Sequence, residues 1–182
     1  MIEFVCDCYL SLADKYLKYY KPDYIVYGDD TAHERDSFIS LDAFRNIYEP
    51  VWRRYIKFFK DRGYLACHHN CGKSDQIMGD VVAMGFNSWD PAQAANDLVG
   101  VKKQFGNKLM ICGAFETRWL LPHFDVTEEF VRSEVRNIMN LLAPGGGFAF
   151  TAGMTTSPDP VVQQRNDWIN DEYDKLKATY YK

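Results

Sequence analysis

The 182-residue chain contains no apolar run approaching the roughly 20 residues that a membrane-spanning helix requires. Its N-terminus lacks the layout of a signal peptide. Basic residues are not in excess: the net charge is -4, which argues against the positive surface a broad nucleic-acid footprint needs. There is no G-x-G-x-x-G turn, so a dinucleotide site would lack its phosphate cradle. Cysteines number only five, which suggests reduced thiols in a cytoplasmic protein rather than a disulfide framework. What is present is 47% hydrophobic content, enough for one globular domain, residues 1–182, with a real core.

The stretch richest in chemistry is YLACHHNCG, residues 64–72. Read as a strand over 64–69, it places Leu65, Cys67 and His69 on one face and Ala66 and His68 on the other. His68 is then expected to face a helical layer. Cys71 falls just past the strand end, within reach of whatever His69 faces. An imidazole and a thiol two residues apart form a pincer suited to zinc, which binds neutral His and thiolate Cys.

Helical spacing predicts a first helix over 1–20, with Phe4, Val5, Cys8, Leu12, Tyr16 and Tyr19 as its stripe. Cys6 and Cys8, two apart on that helix, point away from each other. A strand over 24–27 runs into Gly28-Asp29-Asp30, where two carboxylates past a strand end suggest a site. After a polar loop over 33–40, Ser40 is placed to cap a helix with Phe44, Ile47, Tyr48, Val51, Tyr55, Phe58 and Phe59 on its apolar side. Pro50 should kink that helix. Ser74 caps a short helix through Met84, and a third strand spans 86–89. Asp90-Pro91 reads as a helix start, with that helix reaching Gly106. A fourth strand spans 109–113, Thr127-Glu128-Glu129 starts a further helix, Gly145–Gly147 opens a fifth strand over 148–151, and a last helix begins near Pro160.

Five strands, each followed by a helix, form a (β/α) series. Four steps from Tyr24 to Phe148 cover 124 residues, about 31 per unit. An eight-unit barrel of about 250 residues also needs about 31 per unit. The expected fold is therefore α/β, a parallel TIM-type barrel with about five of eight units present. Three units would be missing before Met1, and the first helix, which has no capping residue, starts as though entered midway.

GDD after one strand, HNCG after the next, GFNSWDP, the LMICG strand and GGGFAF–TAGM follow in that order. The series resembles the C-terminal part of the barrel in the uroporphyrinogen decarboxylase superfamily. The H-x-C-G at His69–Gly72 is most similar to its cobalamin-dependent (methylcobamide:thiol) methyltransferase branch. The resemblance implies transfer of a methyl group from a methylated corrinoid protein to a zinc-activated thiol, with His69 and Cys71 as zinc ligands. It also implies a second cysteine ligand in the glycine-rich segment, where this chain has Met154, a thioether and a poor zinc ligand. Cys112 is then the substitute, with Glu116, Asp29 or Asp30 as oxygen ligands. Asp29 and Asp30 are further expected to orient a ligand or substrate. Lys73, Arg35 and Arg118 are cations placed to meet acidic groups at a barrel mouth, and Trp89, Phe115 and Trp119 could line a pocket for a flat macrocycle.

Two other activities fit the same resemblance. One is a decarboxylase-type lyase acting on a tetrapyrrole, and the other is a non-catalytic partial barrel binding a corrinoid protein or partner subunit. A five-unit arc would expose strand edges. The chain is therefore expected to form a homo-oligomer or to pair with an N-terminal half-barrel, with no nucleic acid and no membrane involved.

Overall fold

The computed structural model describes residues 1–152 and 157–181. Five strands, β1 (Tyr24–Gly28), β2 (Leu65–His69), β3 (Ser88–Ala92), β4 (Met110–Ala114) and β5 (Phe148–Thr151), form one sheet in sequence order. Helical segments separate them throughout, which is the alternation the spacing predicted. The pairs β1/β2 and β4/β5 run parallel. Residues 1–89 and 90–182 form two compact units. Met154 lies outside the described residues, and among those described no helix is long and apolar enough to cross a membrane.

In the first unit, α1 (Ile2–Tyr16) is shorter than its spacing predicted. Its stripe stays in solvent: Phe4, Val5, Leu12 and Tyr16 are exposed, and the one buried residue of the helix is Cys6, outside the stripe. Cys8 is exposed, so the two thiols do point apart. Ser40 caps the next helix as expected, its hydroxyl accepting from Ala43 N at 3.1 Å. That helix runs through α2 (Leu41–Ala43), a π turn (Phe44–Tyr48) and α3 (Glu49–Lys60). Pro50 has no N–H to donate to the preceding turn, and the widened turn just before it absorbs the mismatch. Trp52, Ile56 and Phe59 form the buried side of α3. After β2 a 3-10 turn (Asp75–Ile77) leads into α4 (Met78–Met84), which buries Met78, Val81 and Met84.

The expected alternation of β2 is present. Ala66 and His68 are buried; on the other face Leu65 is exposed and His69 half-buried, while Cys67 between them is buried as well. His68 packs 5.0 Å from the Trp52 ring and 5.1 Å from the Phe86 ring. Neither of its ring nitrogens has a hydrogen-bond partner among the described residues. Burial, and to a smaller degree the neighbouring His69, push its pKa down to about 3.

The third strand and the helix after it differ from the sequence reading. The chain stays extended through Asp90 and Pro91, so β3 ends at Ala92. Helix α5 (Leu98–Phe105) starts only after Asp97, whose carboxylate accepts from Gly100 N at 2.8 Å. The fully buried Ala92 belongs to the sheet, so the helix starts later, at an aspartate the sequence reading did not single out.

The second unit is built on β4 and β5, with Ile111, Cys112, Gly113 and Ala114 opposite Phe148, Ala149, Phe150 and Thr151. Helix α6 (Glu128–Leu142) has the expected Thr127 cap and buries Val131, Val135, Met139 and Leu142. Phe130, at the start of the helix, is exposed and meets Trp119 edge-on. Helix α7 (Pro160–Tyr180) is tied to α6 by Arg132–Asp171 at 2.6 Å and Arg136–Glu172 at 2.9 Å. Buried Arg165 on α7 donates to the carbonyls of Trp119, Leu121 and Phe124 at 3.0, 2.6 and 2.8 Å, fixing the turn after β4.

A pH dependence follows from His68. Its folded pKa lies below the unfolded value, so below about pH 6.5 the unfolded chain takes up a proton that the folded chain refuses. Stability is lost as pH falls from about 6.5 toward 3, by on the order of a few kcal/mol. Urea midpoints at pH 7 and pH 4.5 should therefore differ less in His68→Phe than in the parent chain; an equal difference would contradict this account.

Candidate metal centre

The C-terminal ends of β1 and β2 coincide because Gly28 lies opposite His69 in the parallel register. The loops that follow therefore leave the sheet side by side, and five further hydrogen bonds join them. Asp29 N donates to His69 O at 3.2 Å, and Lys73 N donates to His33 O at 2.8 Å. Between these, Thr31 N donates to Asn70 Oδ1 at 3.1 Å and Asn70 Nδ2 donates to Thr31 Oγ1 at 2.8 Å. Cys71 N donates to Asp30 Oδ1 at 2.8 Å. Asn70 is fully buried, so this reciprocal amide–hydroxyl pair is shielded from competing water. Trp89 Nε1, at the far end of the first unit, donates to Asn70 O at 3.4 Å.

Gly72 makes this approach possible. Its φ is +88°, and a Cβ there would stand 2.6 Å from the carbonyl carbon of Ala32. Only glycine accepts both the backbone angle and the contact. The turn of the 29–37 loop is closed by a bridge between Ala32 and Ser37.

The clasp brings three donors of different chemistry together. One ligand atom each from Asp30, His69 and Cys71 lies within 4.8 Å of the other two. Cys71 Sγ is 3.9 Å from His69 Nε2. A tetrahedral zinc with arms of about 2.0 Å to nitrogen and 2.3 Å to sulfur would hold those atoms about 3.5 Å apart. A closure of a few tenths of an ångström is thus all the pair needs. With neutral imidazole, thiolate and carboxylate, the set would also balance a divalent charge. His69 and Cys71 are half-buried and Asp30 is exposed, so the donors stand at an accessible edge.

Other residues named from the sequence have surroundings of their own. Asp29 accepts from Trp52 Nε1 at 2.9 Å and is 3.4 Å from the Tyr27 hydroxyl. It lines a cavity of about 400 Å³ with Cys6, Tyr9, Tyr27, Trp52 and Tyr55. Burial raises its carboxyl pKa, partly offset by those two hydrogen bonds. Burial and the same carboxylate push the Tyr27 phenol well above its ordinary range. Cys112 is buried on β4 in the second unit. Glu116, in that unit, pairs with Arg118 at 2.7 Å, which holds its carboxyl below the usual range despite burial. Trp89 and Phe115 are buried in the core, and Trp119 packs edge-on against Phe124. His33 and His123 carry no part of the three-donor cluster.

Thr31 and Asn70 escaped the sequence reading. The signal for Asn70 was its place inside H-N-C, where a polar residue alternates with two ligand types and must turn away from them.

Two glycine variants separate angle from contact. Gly63 has φ +84° and nothing within 4 Å of where an added methyl would sit, whereas Gly72 meets the Ala32 backbone. Gly63→Ala should cost about 1–2 kcal/mol from the left-handed angle alone. Gly72→Ala should cost distinctly more by urea denaturation; equal costs would mean that the two loops part easily.

A profile of the uroporphyrinogen decarboxylase (URO-D) family matches residues 2–166. No curated protein matches the chain. Among solved structures, a methyltransferase from Methanosarcina mazei is similar, with a TM-score of 0.63 at 16% identity over 85% of this chain. The chain spans 42% of that protein's length. The likeness shows the fold, a stretch of a TIM-type (β/α) barrel, and agrees with the strand order described above. With the profile covering most of its length, the chain belongs to the uroporphyrinogen decarboxylase family.

Proposed function

We propose that the chain is the metal-bearing part of a methyltransferase within this family, moving a methyl group from a methylated corrinoid protein to a thiol. The observation that carries the reading is the convergence of His69 and Cys71, 3.9 Å apart at the ends of paired parallel strands. His69 and Cys71 would hold a zinc ion. A zinc ion held there would lower the pKa of the thiol and make the thiolate available near neutral pH. The transfer would join the thiol sulfur to the methyl carbon in exchange for the donor's methyl–cobalt bond, whose electron pair would remain with the corrinoid while the thiol proton is released.

The chain's own residues contribute position and polarity. The Thr31–Asn70 pair and Gly72 hold the two loops together, so the donors need little reorganisation. Asp29, held by Trp52 Nε1 and tending to keep its proton more than a surface aspartate, is suited to orient a polar group at the aromatic cavity. The similarity to the Methanosarcina methyltransferase supports this branch.

A tetrapyrrole decarboxylase activity is the second reading, favoured by the enzyme for which the matching family is named. Metal analysis separates the two. The purified chain should contain about one zinc, lost in His69→Ala and in Cys71→Ser. Absence of metal together with tetrapyrrole binding would favour the decarboxylase, and absence of both would favour a binding module.

A partner also belongs to the reading. On β1 and β2, Tyr24, Val26 and Leu65 are more than half exposed, and most of the α1 stripe is uncovered. Apolar side chains on a strand at the sheet edge call for a cover. Size-exclusion chromatography with light scattering should show a dimer or larger assembly, or binding to an N-terminal half-barrel. A well-folded monomer that binds neither would contradict it.

A further inference from the structure

We infer that Asp30 is the third protein ligand of the metal site, a carboxylate oxygen supplied by the loop after β1. The inference rests on the metal reading above and says which donor completes it. The sequence offered Cys112 in place of the missing thiolate, with Glu116, Asp29 or Asp30 as oxygen ligands. The cluster in the first unit joins one of those oxygen donors, Asp30, to the His69–Cys71 pair, with all three ligand atoms mutually within 4.8 Å.

The placement of Asp30 is built in. Its Oδ1 accepts Cys71 N–H at 2.8 Å, so the carboxylate is anchored to the backbone of the very residue whose sulfur is a ligand. That bond uses one lone pair, and an ionised carboxylate has about four. The residue on its C-terminal side, Thr31, is locked to buried Asn70 by two hydrogen bonds, and Asn70 lies between the other two ligands in sequence. The residue on its N-terminal side, Asp29, continues the β1/β2 ladder by donating to His69 O. Both neighbours of Asp30 are thus tied to the 69–71 segment, and the carboxylate is left little freedom except to face it. Thr31 and Asn70 act through Asp30 and are positioning residues.

The donor change has a chemical consequence. Carboxylate carries the same charge as thiolate but is a harder ligand that donates less electron density. A His–Cys–Asp set would leave zinc more electron-poor than a set with two thiolates, and would lower the pKa of a bound thiol further.

The test is cobalt(II) and zinc titration of the full chain and four variants, with far-UV circular dichroism to establish folding. Asp30→Asn keeps the shape and an acceptor for Cys71 N–H but removes the anionic ligand; it should weaken metal binding at least tenfold. Asp30→Cys should retain the metal and roughly double the sulfur-to-cobalt charge-transfer absorption, because a second thiolate joins the metal's ligands. Thr31→Val should weaken affinity while leaving the cobalt spectrum unchanged, as expected for a residue that only positions. Cys112→Ser should change neither. If Cys112→Ser instead halves the charge-transfer absorption and Asp30→Asn binds as tightly as the parent, the assignment of Asp30 is overturned while the metal reading stands. If the parent chain binds neither metal, the metal reading itself fails.

Discussion

Everything at the candidate site depends on the parallel pairing of β1 with β2 in a register that sets Gly28 opposite His69. Parallel strands deliver their following loops on the same side of the sheet, and equal strand ends deliver them at the same height. A one-residue slip would turn His69 to the helical side and bring His68 out. The aromatic bed of Trp52 and Phe86 under His68 opposes that slip, since it accepts a neutral imidazole packed without hydrogen bonds. The two adjacent histidines are thus made unlike by environment: one is structural and neutral, the other faces the open edge.

Once the strand ends coincide, polar chemistry completes the arrangement. A buried side-chain amide costs free energy unless its groups are paired, and Asn70 finds both an acceptor and a donor on Thr31. That requirement joins the two loops, and Gly72 allows their backbones to touch. The adjacent carboxylates then part company. Asp30 turns to the thiol and imidazole, while Asp29 accepts the Trp52 indole N–H at the aromatic cavity. A sequence pair that looked like one site serves two.

What could be read from the sequence was what local rules govern. The alternation of β2, the caps at Ser40 and Thr127 and the unit length all follow from side-chain spacing or from one side chain reaching its own backbone. The family resemblance rested on short motifs at strand ends, which is where a (β/α) barrel keeps its functional residues. The failures share a different cause. Asp90-Pro91 has the local signature of a helix start, yet the sheet keeps that segment extended to Ala92. The α1 stripe predicts burial, but a stripe does not say whether a surface exists to cover it. Asp30 was one of several oxygen donors the sequence offered; it precedes His69 by 39 residues, and only the pairing of two strands singles it out. The buried Asn70 was missed for the same reason, because its partner is equally remote.

The most direct measurement is X-ray absorption at the zinc edge of the zinc-loaded chain, which counts ligands by element. The account requires one sulfur at about 2.3 Å, with the remaining ligands nitrogen or oxygen at about 2.0–2.2 Å. A coordination sphere holding two sulfurs, or none, would contradict it.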